Sequence, residues 1–225
     1  MPADMEIIEF ELMGLSLQEP MGFILNFVIA ICCFIFFKKS KNAVQGDFSW
    51  WWKYFFLFFG LSTFFGGLGH LFYQYTELYG KIPSWTFGLI ANLFSARAML
   101  TFKGPNKLKN WLIGIIFLKF TTFFIFMLNT LNFKFVSTDA TISFVLYVLL
   151  IGLIMFFKEK KKHWLIAAIG SFCLIPAAIF NGGKIDLHLW FNRQDAAHIF
   201  MLIALIVFYL ASKKYYQLII SEENE

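Results

Sequence analysis

Long apolar runs separated by short polar links set the pattern of this chain. A helix needs roughly 20 apolar residues to cross a hydrocarbon core. By that measure the runs fall at about 20–37, 51–73, 85–102, 110–128, 140–157, 164–180 and 194–212. Turn residues punctuate the links, as in Gly80-Lys81-Ile82-Pro83, Gly104-Pro105-Asn106 and Asn181-Gly182-Gly183. The pattern predicts an all-α integral membrane protein, one seven-transmembrane-helix bundle over residues 1–225 with no second domain.

Composition agrees with a lipid-embedded chain. It is 59% hydrophobic and only 15% charged, with 32 Phe, which leaves too little polar surface to face water on all sides. The net charge of +5 is explained by where the basic residues lie. Assigning alternate links to one side collects Lys38, Lys39, Lys41, Lys53, Arg97 and the lysines at 103, 107, 109, 158, 160, 161, 162, 213 and 214, fourteen of the nineteen Lys and Arg. That bias predicts an outside N-terminus and a cytoplasmic C-terminus, and excludes reading the charge as a nucleic-acid footprint. Asp4, Glu6, Glu9 and Glu11 precede the first span without a basic residue, the reverse of a signal peptide, so the first span is expected to stay in the mature protein. Cys32, Cys33 and Cys173 fall inside apolar runs, a pattern that fits neither a disulfide framework nor a structural zinc finger. A compact, Lys- and Phe-rich chain of this kind suits a bacterial inner membrane.

Topology then gathers chemistry at the outer side. His70 lies about one turn before the outer end of span 2, and His198 about one turn after the outer start of span 7. The two imidazoles share a depth, and Asp195 shares a helical face with His198. Glu19, Glu77, Asp186 and His188 lie on the same side. Imidazoles and a carboxylate suit zinc, with a fourth position left for water. His70, His198 and Asp195 are therefore candidate metal ligands, with His188 as an alternative third. Asp195 either ligates the metal or acts as the base that takes a proton from the water; Ser62 and Glu77 are candidate assisting groups. Ionisable groups at the edge of a hydrocarbon layer can equally form a hydrogen-bonded plug. Two facing imidazoles would also suit a haem. Gly66, Gly67 and Gly69 permit close helix approach. His163, in the basic Lys160–His163 loop, is expected to be a solvated interface residue. Lys119 lies mid-span and unexplained; the retinal lysine of rhodopsins sits in the seventh span, which here has lysine only at its inner end.

Seven spans, an outside N-terminus, Glu19-Pro20 opening span 1, Ser62 and His70 in span 2 and His198 opening span 7 together resemble the alkaline ceramidase and adiponectin-receptor superfamily. The resemblance implies a zinc-dependent membrane hydrolase, with zinc on His70 and His198 and a lipid-like amide or ester as substrate, so membrane lipids are the expected partners. The sequence departs from that pattern at three points. The family's serine, four residues before the span-2 histidine, falls on Gly66. The first histidine of its span-7 HxxxH motif falls on Gln194, beside Asp195, and Glu77 is the nearest acid to its aspartate after span 2. The alternative is a non-enzymatic membrane protein: a sensor, carrier or assembly partner with a polar outer cluster.

Overall fold

A computed structural model describes residues 8–223; Asp4 and Glu6 of the acidic leader lie outside the described residues. The chain opens with a hairpin of β1 (Glu9–Leu12) and β2 (Leu15–Gln18), antiparallel, with Glu9 opposite Gln18 and Leu12 opposite Leu15. Met13 and Gly14 at its tip both have positive φ, 54° and 77°, as a two-residue turn matched to strand twist requires. The hydropathy pattern gives no sign of these strands, because four residues are too few to show a period of two.

The helices follow as α1 (Pro20–Lys39), α2 (Phe48–Leu71), a short α3 (Tyr73–Thr76), α4 (Ile82–Met99) and α5 (Asn106–Thr130). Then come α6 (Phe133–Ile142), a π-helical stretch Ser143–Ile151, α7 (Gly152–Glu159), α8 (Lys162–Phe172), α9 (Ile175–Gly182) and α10 (Arg193–Glu223). Their starts are chemically marked. Pro20 opens α1, where its missing N–H costs nothing. The Asp47 carboxylate caps α2 by accepting from the Trp50 N–H at 2.8 Å, and the Asn132 side chain caps α6 in the same way through Lys134 N–H, 2.9 Å.

Among the described residues, six helical segments are long and apolar enough to cross a membrane: Pro20–Lys39, Phe48–Leu71, Asn106–Thr130, Phe133–Glu159, Lys162–Gly182 and Arg193–Glu222. The stretch expected as the third span is a helix too, α4, of 18 residues. It is less apolar because Ser84, Asn92, Ser95 and Arg97 interrupt it, and ten of its residues are buried. Packed against α2, α5, α6 and the π stretch, α4 is wrapped mostly by protein, so polar side chains there find protein partners. The opposite case is α5, with only Ile116 and Met127 buried.

The end of the bundle where α2 begins is an aromatic core of Phe48, Trp52, Phe55, Phe56, Trp164 and Phe208. Trp52 stacks on Phe208 with centroids 4.6 Å apart, and Phe48 meets Trp164 edge-on at 5.2 Å; such pairs add about 0.5–1.5 kcal/mol each beyond their burial. His163 belongs to this core and is not the solvated residue expected. Because α8 starts at Lys162, the imidazole falls on its inward face, 2% exposed, with Phe48 and Tyr215 rings each 4.9 Å away.

The glycines of α2 let its other end close on its neighbours. A Cβ on Gly67 would meet the Phe27 ring at 3.1 Å, Asn26 Cβ at 3.2 Å and the Phe23 carbonyl oxygen at 3.3 Å, and the backbone contact cannot yield. Gly114 on α5 has nothing within 4 Å. Gly67→Leu is therefore expected to lower the thermal midpoint in detergent by about 5 °C, the cost of overpacking a tight contact. Gly114→Ala should leave it unchanged or raise it by up to about 3 °C, since alanine is the better helix former. Equal effects of the two changes would contradict the packing described.

Candidate functional site

Glu19 sits immediately before Pro20, at the N-cap of α1, in a left-handed conformation of φ 50° and ψ 62°. A non-glycine residue held there is strained, and such strain persists only where the surroundings enforce it. Here the Glu19 N–H donates to the Ile8 carbonyl across the base of the hairpin, 3.0 Å. Its carboxylate is buried and accepts from Nδ1 of His70 through Oε2. The imidazole lies over Gly22, where a Cβ would stand 3.8 Å from the ring. The last turn of α2 is thus joined to the first turn of α1 by a carboxylate–imidazole contact.

The start of α10 closes the same mouth. Asn192 is its N-cap: its side-chain oxygen accepts from Gln194 N–H at 2.8 Å and Asp195 N–H at 3.2 Å. Asp195 reaches back to accept from Asn192 N–H at 3.0 Å. This reciprocal pair is a capping box, so one carboxylate oxygen of Asp195 has a local structural role, which the spacing Asn192-x-x-Asp195 announces. His198, one turn on, places Nδ1 2.6 Å from the Gln194 carbonyl oxygen. A carbonyl only accepts, so Nδ1 carries the proton and Nε2 the lone pair. Before the helix, Asp186 takes the Arg193 guanidinium by Nε at 3.0 Å and a terminal nitrogen at 2.9 Å, which pins the loop to the bundle.

Electrostatics tie these groups into one site. Burial pushes the Glu19 carboxyl up, but the hydrogen bond from His70 and the charges of His70, Lys81 and His198 outweigh it and leave Glu19 below its ordinary value. Lys81, with its ammonium 5.1 Å from the Tyr73 ring centroid, is lowered by burial against the opposing pull of Glu19. Asp195 couples to Glu19 as well. Glu19 and Asp195 both line a small cavity of about 10 Å³ with Gly22, Trp190 and Asn192, room for about one water. Each keeps one buried oxygen, Glu19 Oε1 and Asp195 Oδ1, with no hydrogen-bond partner among the described residues.

Of the residues singled out in the sequence, His70, His198 and Asp195 are brought to this mouth, and Glu19 completes the set. The other three are elsewhere. Ser62 donates to the Ser84 carbonyl at 2.8 Å and fastens α2 to α4. Glu77 is exposed, with φ 48° after α3. His188 is exposed in the loop before α10, where it bridges to Phe191 and its Nδ1 accepts from Trp190 N–H at 3.1 Å. The donor chemistry at the mouth fits a metal, since both imidazoles have Nδ1 taken by an orienting acceptor, which leaves Nε2 available. Convergence is less complete: among the described residues no group of three or more His, Cys, Asp or Glu is placed to hold an ion.

Fold and site together define an all-α protein of membrane-spanning character with a buried imidazole–carboxylate cluster at one mouth. The chain belongs to the DUF6962 family, a family of unknown function, which matches residues 21–217. No curated protein and no solved structure matches it.

A depressed carboxyl stabilises the fold above its unfolded pKa, and that stability is lost as pH falls through the folded value. The thermal midpoint is therefore expected to drop as pH falls below the ordinary 4.5 of the Glu19 carboxyl. Glu19→Gln should flatten that acid limb. An acid limb identical in the variant would remove Glu19 from this role.

Proposed function

We propose that this chain is a seven-span membrane protein, N-terminus outside, with a zinc-dependent hydrolytic site at its outer mouth that cleaves an amide or ester in a lipid-like substrate. The observation that carries the reading is the orientation of the two imidazoles. His70 is held by the Glu19 carboxylate and His198 by the Gln194 carbonyl, each through Nδ1, the second contact that metal-bound histidines make. His70 and His198 would hold the ion, with the free oxygen of Asp195 as third donor or as the base for water. Bound zinc supplies a water acidic enough to give hydroxide near neutral pH. Glu19 orients His70 through Nδ1. The fourteen basic residues gathered on the other side support the orientation, and that charge pattern fits the inner membrane of a bacterium.

A second reading has its own support. Asp195 is already engaged in the capping box and Glu19 already satisfies His70, so the cluster also works as a closed polar plug joining α1, α2 and α10. That would be the site of a non-enzymatic sensor, carrier or assembly partner.

Elemental analysis of detergent-purified protein separates the two. The hydrolase reading expects about one zinc per chain, lost in His70→Ala and in His198→Ala. Glu19→Gln should weaken zinc binding about 10–100-fold, as losing an orienting carboxylate does elsewhere. No metal in wild type after zinc is supplied would sink this reading and leave the plug.

A further inference from the structure

The sequence leaves Lys119 without a role, and the fold gives it surroundings of a particular kind. Its ammonium meets the Asp139 carboxylate through Oδ1, the Ser143 hydroxyl at 2.8 Å and the Asp139 carbonyl oxygen at 3.4 Å. All three oxygens belong to one turn, where α6 passes into the π stretch that begins at Ser143. The other carboxylate oxygen of Asp139 accepts from the Asn92 side chain of α4 at 2.9 Å, and Asp139 is fully buried. Ionisable groups inside a spanning bundle are costly and mark functional sites by default; π-helical turns often accompany such sites.

The anion and its cage are built without α5. Asn92 of α4 fixes the carboxylate, and α6 with the π stretch supplies every oxygen; only the positive charge comes from α5. Of the candidate spans among the described residues that helix is the least buried in protein, with two buried residues, and helices in lipid have no hydrophobic force pressing them together. A lysine on such a helix has a long flexible stem with which to withdraw toward an interface. If it does, a fully buried carboxylate remains and demands another cation. One carboxylate, one hydroxyl and one carbonyl are too few for Ca²⁺, which takes six to eight oxygens.

We propose that Asp139, Ser143 and Asn92 form a monovalent-cation site within the bundle, in which the Lys119 ammonium is the resident occupant and exchanges with a small cation such as Na⁺ or a primary ammonium ion. Occupancy of the site and the seating of α5 are thereby coupled. The site lies apart from the outer mouth and does not depend on whether zinc binds there.

The test uses the full chain in lipid nanodiscs, with thermal midpoints taken in choline chloride, NaCl and methylammonium chloride. Lys119→Ala and the longer, milder Lys119→Gln should both be destabilised in choline. Both should recover by about 5 °C or more, saturably, as Na⁺ or methylammonium is raised well above its dissociation constant. The double variant Lys119→Ala/Asp139→Asn, with no charge to satisfy, should fold and show no preference among the salts. In wild type, labelling of the Lys119 amine by a small membrane-permeant anhydride should rise severalfold in NaCl over choline. Single variants that fold but do not distinguish the salts would overturn the proposal. So would single variants that fold in no salt while the double variant folds, a double variant that does not fold, or wild-type labelling indifferent to Na⁺.

Discussion

A carboxylate and an imidazole brought together at the mouth of an apolar bundle constrain much of the surrounding structure. In lipid, apolar helix faces have no preference for one another over the surrounding tails, so the few polar contacts between helices decide which ends meet. Glu19 supplies such a contact to His70 from a left-handed backbone position that it would leave if nothing held it. Once it is held, the hairpin is fixed through the Ile8 carbonyl, the His70 ring lies against Gly22 of α1, and the capping box that starts α10 lines the same cavity. The strain at Glu19 is local; the arrangement it secures reaches α1, α2 and α10.

Much of this was legible in the sequence, and the parts that were not have physical reasons. Apolar run length located the spanning helices, because lipid thickness imposes one length on all of them. The same measure takes in α4, which is wrapped mostly by protein, so that Asn92 and Ser95 are satisfied by neighbours. The depth argument placed His70 and His198 at one mouth, since it needs only helix rise and direction. It does not distinguish a ligand or a base from a cap: one oxygen of Asp195 closes the capping box with Asn192, and the other has no hydrogen-bond partner among the described residues. Glu19 is an acid before a proline, which is an N-cap signal, but its contact with His70 depends on the packing of α1 on α2. At His163 the charge run hides the helix start: Lys160 and Lys161 are loop, and the helix begins one residue before the histidine.

The cluster at the mouth and the Lys119–Asp139 pair solve the same problem differently. At the mouth, charge is dispersed over Glu19, His70, Lys81, Asp195 and His198, with a cavity and two unmatched oxygens left over, an arrangement open to a proton, a water or a metal ion. Deeper in, Lys119 and Asp139 are matched nearly group for group, with Asn92 and Ser143 completing the set. Incomplete satisfaction points outward, to chemistry with something that arrives; complete satisfaction points inward, to a charge that must be replaced if it leaves.

The central claim is that Glu19 and His70 act as one unit across α1 and α2. A double-mutant cycle tests it directly: Glu19→Gln, His70→Gln and the pair together, each measured by reversible unfolding in the same detergent at pH 7. The predicted result is strong non-additivity, with the second change costing less than the first by about 1 kcal/mol or more. Additive losses would mean that the two side chains stabilise the fold independently, and would contradict the contact on which this description of the mouth rests.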